Sequence, residues 1–217
     1  MSYRGRVSAA MVVAAAFSVC CVGVSAGPAR AGDDGAQFLL FSGADLWRNG
    51  GSMHGGLLWS PGGLDREGFT LKFMGAGGRY RYTSGALGNA TVIGTEEEGQ
   101  LLPGWRFKRD RLEVKVFAGL NIKNDVTSPN DPSSRLHGTA VGVRTTVNLW
   151  FEPTPTTMVA ADASLTSIAT GYSARAAYGW RLNDWFYLGP EAQTFACVGY
   201  SQLRFGAHLT ALRTEQW

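Results

Sequence analysis

The chain has 217 residues, of which 45% are hydrophobic and 12% aromatic, with 29 glycines and a formal charge of +3. Three of its bases, Arg4, Arg6 and Arg30, lie in the first 31 positions, which hold no acid; without them 17 bases face 17 acids. Nothing then resembles the one-sided basic face that binding to nucleic acid requires.

Arg4 and Arg6 precede an apolar, small-residue run from Ala9 to Val24, followed by "GPARAGDDG", where Ala29 and Ala31 suit a cleavage pocket for small side chains. The run falls short of the roughly 20 residues a spanning helix needs and ends in Gly and Pro. The pattern predicts a cleavable export signal over 1–31 and one mature domain over 32–217. Cys20 and Cys21 leave with the signal, and Cys197 alone forms no internal disulfide.

Beyond the signal no run is long enough for a transmembrane helix, and no segment carries a sustained helical stripe. Ten stretches alternate apolar with polar or small residues between turn signals. They lie near 37–47, 51–60, 68–82, 91–107, 111–122, 138–151, 157–168, 171–182, 185–197 and 200–212. Most reach about 10 residues, more than the usual 5 or 6 of soluble sheets and close to the 9–11 of a tilted membrane strand. The predicted fold is all-β, an up-and-down antiparallel transmembrane β-barrel of about ten strands.

The connectors agree with that topology. "SPGGLDREG", "KRDR", "EPTPT" and "RLND" follow the even strands, and the longest polar loop, Asn124 to Arg135, follows the fifth. In an outer-membrane barrel entered from the inner side, long loops belong outside. Trp59, Trp105, Trp150 and Trp180 end even strands, and Trp185 follows an inner turn. Indoles suit the boundary between lipid tails and headgroups, which makes these five an expected aromatic girdle. The other reading is a set of core aromatics capping a soluble sandwich.

In "RLEVKVFAGL" (111–120), Leu112, Val114, Val116, Ala118 and Leu120 share one face, and Arg111, Glu113 and Lys115 the other. Residues 171–182 and 200–212 divide the same way. The polar faces are rich in Gly, Ala and Thr, which suits a crowded polar lumen, so Leu112, Val114 and Val116 are assigned to lipid. Lumen-lining charges are then Lys72, Glu113, Lys115, Arg144, Asp162, Arg175, Glu191 and Arg204. Their mixed signs fit either mutual neutralisation as a plug, which packing alone would demand, or a selectivity surface. Two features resist: one of Glu96, Glu97 and Glu98 must point outward, so that stretch is placed above the membrane, and Pro190 interrupts a ladder, marking a bulge or a misplaced strand.

No HxH, HExxH or GxSxG spacing occurs among the residues around His54, His137 and His208. Ser52 and His54 share a strand face, as an outer-leaflet hydrolase would need, but small polar residues near an outer loop occur in any barrel. The reading is of no enzyme, no metal and no cofactor. A barrel of ten or twelve strands lies near the size that side chains fill, too narrow for a glucan chain.

"FSGADLWRNGGSMHGGLLWSPGGLDREGFTLKF", "LPGWRFKRDRLEVKVFAGL", "LWFEPTPTTMVAADASLTSI", "YSARAAYGWR" and "FYLGPEAQ" resemble the cellulose biosynthesis protein BcsS family over nearly all of the mature chain. The resemblance implies an exported outer-membrane β-protein tied to bacterial cellulose synthesis, with no catalytic residue to carry over. The family pattern continues with one more hairpin beyond "AHLTALRTEQW". That implies twelve strands in a complete barrel and C-terminal truncation here, although Trp217 formally supplies the terminal aromatic of an assembly signal.

The expected function is a non-enzymatic outer-membrane accessory to cellulose biosynthesis or secretion. Its partners would be outer-membrane lipid and cellulose synthase or export components or the glucan itself, with no nucleic acid. The alternatives are a narrow small-solute channel and a soluble periplasmic glucan-binding β-protein.

Overall fold

The structure, a computed structural model, describes residues 36–134, 136–183, 186–197 and 200–211, and the backbone course of 15–21. Its strands are β1 (Ala15–Cys21), β2 (Phe38–Trp47), β3 (Gly50–Trp59), β4 (Gly68–Ser84), β5 (Ala90–Arg109), β6 (Leu112–Ser128), β7 (Gly138–Thr154), β8 (Thr157–Thr166), β9 (Gly171–Leu182), β10 (Phe186–Cys197) and β11 (Tyr200–Thr210). Single 3-10 turns occur at Gly85–Leu87 and Ile168–Thr170.

From β2 to β11 each strand pairs antiparallel with the next, giving the ten-stranded up-and-down meander that the alternation predicts. β1 lies across the seam, antiparallel to β2 and parallel to β11, and closes the ring. An odd number of strands cannot alternate all the way around, so one neighbouring pair must run parallel. Here it is β1 with β11. In the ten-stranded meander by itself β2 and β11 run antiparallel, the relative direction that closes the even-numbered barrels of bacterial single chains. Residues 15–21 belong to the segment read above as an export signal; Trp185 and Trp217 lie outside the described residues.

Local chemistry fixes the hairpins. The β5–β6 turn is the two residues Asp110 and Arg111, and Asp110 takes a positive φ of 51°, a region Asp tolerates because its short carboxylate bonds locally. β6 runs further than expected: paired residues continue to Ser128, so the first part of the predicted Asn124–Arg135 loop is strand. Pairing drove that correction, because the longer β5 offers partners up to Ile93. Pro190 marks neither a bulge nor a misplaced strand. The β9–β10 register is the same on either side of it, and only the ladder positions at Gly189 and Pro190 drop out. Gly189 is needed there, since a Cβ would sit 1.9 Å from the Tyr178 carbonyl oxygen.

The two faces of the sheet are opposite in chemistry. Outward lie large apolar side chains left exposed, among them Leu40, Phe73, Leu101, Val116, Leu120, Ile122, Val143, Tyr178 and Phe205. Inward lie buried polar ones, among them Gln100, Arg106, Asn121, Asp125, Thr146, Glu191 and Arg204. β6 shows the period of two directly: Val116, Leu120, Ile122 and Val126 are exposed, while Phe117, Asn121, Asp125 and Thr127 are buried.

Candidate functional site

All eight candidate charges occupy inward positions of their strands, and the closed ring brings them into separate groups. On β6, Glu113 pairs with Lys115 and lies 3.9 Å from Arg106 of β5. Arg144 on β7 pairs with Glu98 on β5 and donates to Ser164 Oγ at 2.9 Å. Arg175 on β9 joins Glu191 at 2.6 Å and Asp162 at 3.4 Å, and Asn148 holds the other oxygen of Asp162 at 2.6 Å. Arg204 lies over the rings of Trp47 at 4.0 Å and Phe195 at 4.5 Å, and Lys72 over Phe117 at 5.5 Å and Phe41 at 5.9 Å. A charge withdrawn from bulk water needs an opposite charge, a hydrogen bond or an aromatic face, and each of these has one.

The lower end, which carries the β3–β4, β5–β6, β7–β8 and β9–β10 connections, is filled by two apolar clusters. Leu58, Leu102 and Phe117 form one, with Leu39 and Leu64 packed against it. Met158, Ala160, Ala177 and Tyr187 form the other, with Trp150 and Ala211 against them. Leu64 belongs to the connection written "SPGGLDREG". Its backbone is tied down by Arg106 Nη1 donating to the Leu64 carbonyl and by its own N–H donating to Ala36 at 2.7 Å. That connection therefore folds across the lower mouth. The upper half is polar: Lys123 pairs with Glu96 at 2.7 Å, and Tyr80 donates to both oxygens of Asp125 at 2.9 and 3.0 Å.

At the upper rim Asp131 organises the β6–β7 loop. Ser133 donates to its Oδ1 through Oγ at 2.7 Å and N–H at 2.9 Å, and Tyr82 donates to Oδ2 at 2.8 Å. These bonds, the Ser133 hydroxyl foremost, hold its carboxyl down to about 2.

The tryptophans divide. Trp59, Trp105 and Trp180 face outward near the lower end, Trp59 stacked with Phe38 at 6.5 Å and Trp180 edge-on to Tyr178 at 4.9 Å. Trp150 does not belong to that belt. It points inward, contacts Tyr187 edge-on at 5.8 Å and donates from Nε1 to Glu152 at 3.1 Å. Its sequence position marks the strand end, but strand parity decides the face, and Trp150 shares parity with Arg144 and Asn148.

Sequence reasoning passed over Lys123, Arg106, Tyr80 and Asp125, and left open which of Glu96, Glu97 and Glu98 turns outward. The parity of "TEEEG" carried the signal, because alternate residues of a strand must share a face: Glu96 and Glu98 turn in, and Glu97 turns out. Ser52 and His54 both face inward, and neither side chain makes a hydrogen bond among the described residues. No cluster of three His, Cys, Asp or Glu with metal-binding arrangement occurs among the described residues.

The sequence pattern of the family described as cellulose biosynthesis protein BcsS matches residues 39–217. No curated protein matches the chain, and no solved structure matches it.

Proposed function

The chain belongs to the cellulose biosynthesis protein BcsS family, and from that premise we propose that it is a non-enzymatic outer-membrane β-barrel acting as an accessory to cellulose biosynthesis or secretion. One observation carries the membrane part: exposed aliphatic and aromatic side chains on the outer face of a ring whose ion-paired groups lie inside. Soluble monomers rarely expose contiguous apolar patches beyond a few hundred Å². A band on this scale suits hydrocarbon, and the outward Trp59, Trp105 and Trp180 suit its edge.

The filled lower interior favours a role played at surfaces over passage of a polymer. The barrel positions export components, or meets the emerging glucan at its upper connections. Membrane fractionation combined with heat-modifiable gel mobility tests the placement, and extracellular cellulose from a deletion strain tests the process. Recovery in the outer membrane, a mobility shift on boiling and reduced cellulose are expected. Release by carbonate washing with unchanged mobility would favour the soluble glucan-binding reading. A steady single-channel current in planar bilayers, lost in Arg144→Ala or Arg175→Ala, would favour the channel.

A further inference from the structure

The outward face is not uniform. Across β2, β3 and β4 the register aligns Ser42 with Gly55 and Gly75, and Ala44 with Met53 and Gly77. These outward residues line an apolar groove of about 630 Å³. Along the same two rows β5, β6 and β7 carry Gly99, Ile122 and Val141, and Glu97, Asn124 and Thr139, while the row below is bulky with Phe73, Leu101, Leu120 and Val143. The next row up is Leu46, Gly51 and Arg79. There a second concavity of about 360 Å³ is lined by Arg48, Asn49, Gly50, Gly51, Arg79 and Arg81, among others. Arg81 N–H donates to the Asn49 carbonyl at 2.8 Å, which fastens the β2–β3 turn, and with it Arg48, to β4.

These arginines differ from the charges inside. The ion pairs among the described residues join inward side chains, whereas Arg48, Arg79 and Arg81 are exposed and belong to none of them. The acid nearest in register on this face is Glu97, opposite Gly77 and in no ion pair among the described residues, so three arginines face one carboxylate. Height matters too. From outward Phe69 near the lower end to Arg79 is ten residues along β4. At ~3.4 Å per residue and a tilt of ~40° this is a rise of ~26 Å, close to the ~25 Å apolar band of an outer-membrane barrel. Arg79 therefore stands at headgroup level directly above a groove with room for an acyl chain.

We propose that the upper outward face of β2–β4 binds a phosphorylated, multiply acylated lipid, with its phosphates on Arg48, Arg79 and Arg81 and an acyl chain in the groove floored by Gly55, Gly75 and Gly77. Guanidinium forks match phosphate oxygens bidentately, and small outward residues leave space that a straight hydrocarbon chain fills. This inference rests on the outer-membrane reading above.

The test uses the full chain folded in a zwitterionic detergent and followed by native mass spectrometry. It is titrated separately with a bisphosphorylated, acylated glucosamine disaccharide, its deacylated form, inorganic phosphate and phosphatidylcholine. One retained bisphosphorylated, acylated disaccharide per chain is expected, weakened about tenfold for each arginine lost in Arg48→Gln and Arg79→Gln/Arg81→Gln. Gly75→Leu should weaken the acylated ligand but leave the deacylated one unaffected, since a side chain at Gly75 meets open space and fills the groove without moving the backbone. Equal retention by the arginine variants, or equal binding of phosphatidylcholine or inorganic phosphate, overturns the proposal. Heat-modifiable mobility of the same samples separates the two failures. A folded barrel without lipid preference sinks this inference alone, whereas a chain that never forms a heat-modifiable barrel sinks the membrane reading with it.

Discussion

The lower and upper halves of the barrel interior share strands and register, yet apolar clusters fill only the lower one, where they lie beside the Arg106–Glu113–Lys115 group. Below, Leu58, Leu102 and Phe117 pack as a protein core does, with the Leu64 connection folded over them. Above, Glu96 with Lys123 and Asp125 with Tyr80 occupy equivalent inward positions. An inverted barrel is thus not polar throughout its lumen. Stability concentrates where apolar groups are withdrawn from water, and the upper half contributes less because its ion pairs remain partly wetted.

Truncating the lower core should show the largest effect. Phe117 is 1% exposed, and Phe117→Ala should cost about 3–5 kcal/mol through lost burial and a residual cavity. Its outward neighbour Val116→Ala should cost far less, because in a lipid or detergent surround the lost methyls are replaced by hydrocarbon. Equilibrium urea unfolding of the folded chain measures both, and equal losses would erase the distinction between the faces.

The middle of the barrel should come next. Glu191 has a side chain only 1% exposed and depends on Arg175, which is itself a quarter exposed. Arg175→Met should destabilise by about 2 kcal/mol after discounting for that exposure. Adding Glu191→Gln should restore part of the loss, since the stranded carboxylate is then gone. The same unfolding assay would contradict a paired role if the double variant were no more stable than the single one.

In the upper half, Lys123→Gln should cost about 1 kcal/mol or less, the range of partly exposed pairs, and the loss should shrink further in high salt. A salt-independent loss of several kcal/mol would show that the upper interior is as dry as the lower.

The smallest effect is local and depends on pH. Asp131 titrates lower in the folded loop than in an unfolded chain, so its contribution is fully present above the unfolded value of about 3.9 and is lost as pH falls through about 2. Hydrogen exchange at the Ser133 amide should quicken over that acid window in the native chain. In Asp131→Asn it should lose that pH dependence, and an unchanged profile would remove Asp131 as the anchor.

Period-two alternation made most of the fold legible before any coordinates. The strands predicted at 68–82 and 171–182 are observed at 68–84 and 171–182, and Glu113, Lys115, Arg144 and Arg175 lie on the face their parity assigned. Parity was also the information overlooked for Trp150, whose position was read from its strand end, while for Glu96, Glu97 and Glu98 alternation required one to turn outward and the register decided that it is Glu97. The loop boundary at Asn124 failed for another reason: polar residues remain in a ladder when a neighbouring strand offers partners.

The sequence by itself determined the two-faced strands, their order and the sign of each face, because side-chain direction in an extended chain depends only on position along it. Only the tertiary structure decided which inward groups meet, since Glu98 and Arg144, or Tyr80 and Asp125, are 46 and 45 residues apart and come together through curvature and register. It also decided that Leu64 folds over the lower mouth, and that Arg48 and Arg79 share one concavity on the outside. Those arrangements depend on the registers of neighbouring strands and the curvature of the sheet, which are properties of several pairings together and of no single segment.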